Sequence, residues 1–252
     1  MTVYVGNSSG LAKEVRRMYV GVDGVATKVQ KAYVGDSNGI ARLVWEFPTA
    51  ILPSAYQQVE YIRSTEKQQY IDTGITGNVT STVPQKVTMK MAYQALSGTV
   101  RCFGALASTT NQISIGCAGG TRWAFGYNGY NSIGTDISVG QVYDLEAYYS
   151  YSERYFNVNN TQIFRNTVSK AINTSRTFYI FRSNQGTVDA VQMDLYGCKI
   201  YNNGTLVRDF YPCYRKADSV SGLYDMVNDA FYRNALNNTD NFDVGPNYEG
   251  EL

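Results

Sequence analysis

VQMDLYGCKIYNNGTLVRDFYPCYRKADSVSGLYDMVNDAFYRN, running from Val191 to Asn234, decides how the rest of the chain is read. At its centre Asn203-Gly204 separates two alternating apolar runs. An Asn-Gly pair in that setting is the strongest short-range hairpin signal, because both residues of a two-residue turn take φ > 0. Such a turn pairs Asn202 with Thr205, Ile200 with Val207, Cys198 with Asp209 and Tyr196 with Tyr211. Tyr196, Cys198, Ile200, Val207 and Tyr211 then share one face. Lys199 and Arg208 stand opposite each other on the second face, which must be wet or supplied with carboxylates. Pro212 has no N–H to donate and is expected to end the ladder.

Upstream the signal has the same character. Candidate strands fall at Val59–Ser64, Tyr70–Gly74, Val87–Tyr93, Arg101–Ala107, Gln112–Cys117, Arg122–Tyr127, Val142–Tyr151, Tyr155–Val158, Thr161–Phe164 and Thr177–Arg182. Asn159-Asn160 is a second two-residue turn, since Asn tolerates the left-handed region. No stretch reads as a long helix. Short strands punctuated by Gly, Asn and Ser argue for an all-β, antiparallel two-sheet sandwich.

The N-terminal segment is repetitive. YVGNSSGLAKEV begins at Tyr4, YVGVDGVATKV at Tyr19 and YVGDSNGIARLV at Tyr33, each the size of one small hairpin. In the second unit a turn at Asp23-Gly24 puts Val20, Val22, Val25 and Val29 on one face; the first and third units have one more loop residue. Three such hairpins bury too little apolar surface to be stable alone, so the valine face is expected to be covered, either by the chain's own sandwich or, as the preferred reading, by other copies or by a particle to which it attaches. EFPTAILP, Glu46 to Pro53, breaks the period with two prolines. The expected organisation is therefore 1–47, a three-hairpin attachment and oligomerisation module, and 48–252, the sandwich.

Composition narrows the chemistry. The formal charge is +1, which gives no electrostatic reason to expect nucleic acid or an anionic membrane as partner. There is no histidine among the 252 residues, so Ser-His and Cys-His nucleophiles and ordinary zinc sites are excluded. The four cysteines contain no C-x-x-C, and Cys213 falls four residues beyond the expected partner of Cys198. That is about 13 Å along a strand, beyond the roughly 7 Å a disulfide spans, so all four are expected to be free. The N-terminus has no apolar leader run and nothing is long enough to span a membrane; assembly in the cytoplasm without membrane insertion is the expectation.

CKIYNNGTLVRDFYPCYRKADSVSGLYDMVNDAFYRN, together with LPSAYQQVEYIRSTEKQQYIDTGI from Leu52 and RTFYIFRSNQG from Arg176, resembles the laminin-G-like (concanavalin-A-like) jelly-roll domains of phage, prophage and gut-bacterial surface proteins. The YVG repeats resemble segments ahead of receptor-binding or fibre-like domains of tailed phages. The resemblance implies a jelly roll and a virion structural or adhesion protein: the repeats bind other virion proteins, and the sandwich is displayed toward a host cell-surface glycan. Because that fold hosts lectins, glycanases and spacers alike, a purely structural decoration protein and a glycan-degrading tail enzyme stay open as alternatives.

Two stretches bear on that choice. Asp144 and Glu146 point to one face of a strand, as the paired carboxylates of a glycanase must. The laminarinase-type pattern E-x-D-x-x-E is not matched, however, because Ala-Tyr-Tyr follows and Glu153 lies beyond; no enzyme is expected. In GGTRWAFGYNGYNS, Gly119 to Ser132, the aromatics Trp123, Phe125 and Tyr127 alternate, and Asn128, Tyr130 and Asn131 come next in a Gly-rich loop. Aromatic faces stack on sugar rings and Asn amides bond hydroxyls, so Trp123, Tyr127, Asn128, Tyr130 and Asn131 are the carbohydrate candidates. For Trp123 and Phe125 the preferred reading is as inward core residues of the sandwich, and Tyr127, Asn128 and Tyr130, nearer the loop, are the better contacts. Asp136 and Asp189, the positions a rim calcium ion would use, sit in no ligand-dense loop; neither metal nor cofactor is expected.

Overall fold

The computed structural model describes residues 52–248 apart from 66–68, 168, 186–190 and 238–240, and, ahead of them, the backbone of six short strands. These are β1 (Tyr4–Gly6), β2 (Ala12–Glu14), β3 (Tyr19–Val22), β4 (Val25–Lys28), β5 (Lys31–Gly35) and β6 (Ala41–Glu46). They pair antiparallel two by two, one hairpin for each YVG repeat. In the middle hairpin Val22 stands opposite Val25 and Val20 opposite Thr27, the register of a two-residue turn at Asp23-Gly24. The turns, and Val29, lie outside the described residues. The chain divides into two compact units, Met1–Ile51 with Tyr248–Leu252, and Leu52–Asn247.

The second unit is built from strands alone. In chain order they are β7 (Tyr56–Gln58), β8 (Ile62–Arg63), β9 (Ile71–Val79), β10 (Gln85–Tyr93), β11 (Val100–Ser108), β12 (Asn111–Ala118), β13 (Arg122–Tyr127) and β14 (Tyr130–Asp136). After these come β15 (Val142–Tyr149), β16 (Glu153–Val158), β17 (Thr161–Thr167), β18 (Ile172–Ile180), β19 (Met193–Asn202), β20 (Thr205–Arg215), β21 (Ser221–Asp225), β22 (Ala230–Arg233) and β23 (Asp243–Val244). The larger sheet runs β17-β16-β15-β10-β19-β20-β21-β22, with β7, β8 and β23 added at its flank; the smaller runs β14-β13-β12-β11-β18-β9. Every named ladder is antiparallel, and neighbours such as β10 and β19 are far apart in sequence, which gives the two-sheet jelly-roll architecture.

Burial follows the pleat. Along β15, Tyr143, Leu145, Ala147 and Tyr149 are buried while Asp144, Glu146 and Tyr148 are not. Phe125 of the smaller sheet stacks on Tyr149 at 4.8 Å and on Phe156 at 5.5 Å between ring centroids. Trp123 meets Tyr143 and Phe156 edge-on, at 5.2 and 5.6 Å. These aromatics, with Ile113, Ile115, Phe178, Leu195 and Ile200, form one continuous core between the sheets.

The hairpin at Asn203-Gly204 forms as expected, with both residues at positive φ (50° and 76°) and Asn202 opposite Thr205. Beyond that pair the register departs from a regular ladder. A bulge leaves Val207 without an opposite residue, so Ile200 pairs with Arg208, Lys199 with Asp209 and Cys198 with Phe210. Ile200, Cys198 and Phe210 face the core, while Tyr196, Val207 and Tyr211, expected inward, are only half-buried. Lys199 meets not Arg208 but a carboxylate, Asp209, at 2.9 Å. Pro212 does not end the strand; β20 runs through it, with Leu223 opposite. The Pro212 carbonyl accepts from Val59 on the flank where pairing passes from β19 to β7, so the missing N–H falls at that seam.

The bulge sends Arg208 inward. Its Nε donates to the Thr73 carbonyl of the other sheet at 2.8 Å and lies 3.5 Å from the Asp225 carboxylate. Asp225 is fully buried and also accepts from the N–H groups of Asp209 and Val227 and from Asn228. Removing one partner of an enclosed pair leaves the other charge uncompensated, which costs roughly 3–5 kcal/mol. Asp225→Ala should lower urea stability by about that amount, whereas Lys199→Ala, at the more exposed Lys199–Asp209 pair, should cost less than about 1 kcal/mol. Equal losses would mean the clamp is not a stabilising element.

All four cysteines are free and buried. Burial pushes the thiols of Cys102 and Cys213 up to about 12 and raises those of Cys117 and Cys198. An acid whose folded pKa lies above its unfolded value of about 8.5 stabilises the fold below that pH and loses the contribution as pH rises toward the folded value. Iodoacetamide at pH 8.5 should therefore leave the folded protein unmodified and add four groups after denaturation, by intact mass. Rapid labelling of the native protein would contradict this burial, and a linked Cys198–Cys213 peptide would contradict the register.

Candidate binding face

Tyr127-Asn128-Gly129 forms a three-residue hairpin turn, with Asn128 and Gly129 at φ of 52° and 128°, and the residues after it form strand β14 rather than a loop. Phe125 stands opposite Asn131 and Gly126 opposite Tyr130. The carbohydrate candidates are correspondingly tied into the fold. Trp123 and Tyr127 have no exposed surface, because the pleat turns them with Phe125 into the core. The Tyr127 hydroxyl shares its proton between the carbonyls of Ser150 and Lys170, at 2.8 and 2.6 Å, and burial pushes its pKa up to about 12. Asn128 accepts from the Lys170 ammonium through its Oδ1. Tyr130 donates to the Val100 carbonyl at 2.9 Å and lies under the Arg101 guanidinium at 4.2 Å; Asn131 donates to the Phe125 carbonyl. Trp123 and Tyr127 thus cannot stack on a ligand. The other three are half-buried, each with at least one polar atom bonded within the fold.

The surface that does combine accessible aromatics with hydroxyl and amide groups is the outer face of the larger sheet. One rung crosses six strands in register: Arg165, Tyr155, Tyr148, Lys86, Tyr201 and Leu206. Tyr148 and Tyr155 stack at 5.0 Å with an 18° interplanar angle, and the Lys86 ammonium lies 4.5 Å from the Tyr201 ring centre. The next rung holds Asn157, Glu146, Thr88, Lys199 and Asp209. All of these residues are partly or fully accessible, on alternate positions of strands whose other side builds the core. The face arises from the same alternation that buries Tyr149 and Phe156, one residue further along each strand.

Its electrostatics are balanced. Lys86 pairs with Glu146 at 3.6 Å, Lys199 with Asp209 at 2.9 Å and Arg165 with Glu153 at 2.5 Å, and Lys90 stands directly opposite Asp144. Burial, reinforced by Glu146, to which its hydroxyl hydrogen-bonds, pushes the Tyr155 phenol up to about 12. Such a face offers flat apolar area, hydroxyls and amides with its charges already neutralised, which suits an uncharged polyol. Glu146 is occupied by Lys86 and by Asn157 Nδ2 at 3.1 Å, so the Asp144–Glu146 pair is part of this surface ladder. Asp136 lies 3.9 Å from Arg122, and Asp189 is outside the described residues. Among the described residues no cluster of acidic, Cys or His side chains could hold a metal ion, and no helix is long and apolar enough to cross a membrane.

The sequence contains the signal for this face. Asp144, Glu146 and Tyr148 alternate with inward residues in VYDLEAYY, but only pairing to β10, β16 and β19 shows which tyrosines become neighbours.

Burial sorts the two classes of aromatic. Trp123→Ala should cost about 3–5 kcal/mol as a core cavity. Tyr148→Ala, on the outer face, should cost no more than about 1 kcal/mol. Equal losses in denaturant titrations would contradict the assignment of inner and outer faces.

No protein-family model matches the sequence, and no curated protein sequence matches it. Solved structures do resemble the fold. A candidate carbohydrate-binding protein from Bacteroides ovatus aligns with a TM-score of 0.52 at 10% identity, over 73% of this chain and 59% of that one. Domains LG4-5 of the mouse laminin α1 chain align at 0.40 with 13% identity, over 65% and 46% of the two chains. The enzymatically active domain of tailspike protein 2 from bacteriophage CBA120 aligns at 0.40 with 10% identity, over 68% and 27%. This chain thus spans about three-fifths of the Bacteroides protein's length and less of the other two. At 10% identity the likeness to the Bacteroides protein speaks to the fold alone.

Proposed function

We propose that this protein is an adhesion component of a phage particle, attached through its N-terminal hairpin repeats and binding a host-surface glycan through the outer face of the larger sheet. The observation that carries the binding half is the in-register rung Tyr155–Tyr148–Lys86–Tyr201 above a hydroxyl- and amide-bearing rung. The named function of the Bacteroides protein with the same fold supports a glycan over other ligands. Binding without turnover is favoured because Glu146 is held by Lys86 and Asn157 and no third acid stands in the position a glycanase pattern requires. The attachment half rests on the three YVG hairpins, whose central unit sets Val22 opposite Val25, and on the need of so small an apolar module for a partner, either further copies of the chain or other virion proteins.

Two variants test the halves separately. Tyr148→Ala combined with Tyr201→Ala should abolish capture on a glycan array while leaving the thermal transition within a few degrees. Val22→Asp should remove the protein from purified particles yet leave glycan capture unchanged. Undiminished capture by the tyrosine double variant would displace the binding site from this face, and normal incorporation of Val22→Asp would displace the anchor from the hairpins. Release of reducing ends from a bound polysaccharide would replace adhesion by hydrolysis.

A further inference from the structure

Two arginines of the sandwich are enclosed to better than nine-tenths, Arg154 and Arg182, at 6% and 8% exposure. Arg154 has an explanation, because its Nη1 donates to the Tyr127 carbonyl at the β13–β14 turn. Arg182 has none of this kind. Among the described residues no carboxylate, carbonyl or amide oxygen accepts from its guanidinium; its Nε, like that of Arg154, is sealed from solvent without a partner. Its one specific contact is with an aromatic ring: the guanidinium carbon lies 4.9 Å from the centre of Tyr70. Tyr70 in turn stacks on Tyr179, with centroids 4.3 Å apart and planes 23° from parallel, and both rings are partly accessible.

The backbone that presents Arg182 is held in a costly shape. Phe181 has φ of +74°, a conformation that a bulky L-residue adopts only when its surroundings impose it. The surroundings do impose it. The Phe181 N–H donates to the Cys102 carbonyl at 2.8 Å, its own carbonyl accepts from Val191 at 3.2 Å, and its ring stacks on Phe242 at 4.8 Å. The chain is thereby turned directly before Arg182, and the guanidinium is fixed beside two stacked rings with its donor groups unspent. Asp72, across the ladder from Tyr179, turns its carboxylate to the N–H of Gly74 at 2.9 Å and forms no ion pair with Arg182.

From this arrangement we infer that Arg182, Tyr70 and Tyr179 form a second ligand site, on the β9–β18 side of the smaller sheet, for the carboxylate of an acidic sugar. A guanidinium presents paired N–H donors in a plane that matches a carboxylate, and low exposure strengthens that contact by excluding water. The tyrosine pair supplies the flat apolar surface on which the sugar ring rests. The site is chemically distinct from the charge-balanced outer face of the larger sheet and stands whether or not that face binds glycan.

The test uses the full chain, with isothermal titration of sodium glucuronate, methyl glucoside and inorganic phosphate. Glucuronate should bind saturably, methyl glucoside should not at the same concentration, and Arg182→Gln or Tyr70→Ala should weaken glucuronate by at least about tenfold. Phosphate binding as tightly as glucuronate would overturn the acidic-sugar assignment in favour of a general anion site. No glucuronate binding, or equal binding by Arg182→Gln, would overturn the site itself. Stability provides an independent readout. Arg182→Met removes an enclosed charge without a partner and should keep or raise the melting temperature, and glucuronate should raise it only for the wild-type protein. A melting temperature lowered by several degrees in Arg182→Met would assign the arginine to the fold and overturn the proposal.

Discussion

Phe125 stacked on Tyr149 and Phe156 is the contact on which the rest of the sandwich depends. It joins β13 of the smaller sheet to β15 and β16 of the larger, and Trp123 extends it edge-on to Tyr143. Offset aromatic pairs have preferred geometries, so this cluster fixes how the two sheets lie over each other as well as burying area. Once one side of β15 and β16 is committed to it, the pleat leaves no freedom for the other side. Tyr148 and Tyr155 must point outward because Tyr149 and Phe156 point in. The candidate binding face is thus a consequence of core packing, and a one-residue slip of either strand would exchange the two sets.

The edges of the sandwich are closed by polar devices. Arg208 reaches from β20 to the Thr73 carbonyl of the opposite sheet while neutralising Asp225, and Tyr127 fastens the β13–β14 corner to Ser150 and Lys170. Each device satisfies backbone carbonyls that strand pairing leaves over. Arg154 belongs with them, as its guanidinium serves the Tyr127 carbonyl. Arg182 is the exception in this group: its Nε is unpartnered, as that of Arg154 is, but unlike Arg154 its guanidinium serves no oxygen among the described residues. That contrast within one molecule separates an arginine retained for the fold from one whose burial the fold alone does not explain.

Much of the architecture is legible in the residues. Asn203-Gly204 announces its hairpin, alternation in VYDLEAYY announces a half-buried strand, and the YVG repeats announce three hairpins, because turn chemistry and pleat period act locally. Asn128-Gly129 also lies in a hairpin turn, of three residues, yet glycines and asparagines on both sides make that segment read as a loop; β14 is strand because β13 offers it a ladder. The bulge at Val207 is illegible for a different reason. Counting alternation outward from a turn assumes a regular ladder, and nothing local marks the residue at which it breaks. That single residue reverses the direction of Arg208 and brings Asp209 to Lys199. Of the two readings open for β13, burial bears out the inward one: Trp123, Phe125 and Tyr127 share a face by alternation, and only the second sheet determines that this face is the inner one.

The claim that the outer face of the larger sheet is the glycan-binding surface is tested most directly by ring-labelled tyrosine NMR on the intact protein, titrated with soluble laminarin, mannan and peptidoglycan fragments. Shift changes that saturate with one of these glycans and are confined to Tyr148, Tyr155 and Tyr201, while the core rings Tyr93, Tyr127 and Tyr149 stay fixed, are the predicted result. Saturable changes centred instead on Tyr130 at the β13–β14 rim, with the outer-face rings unmoved, would contradict it.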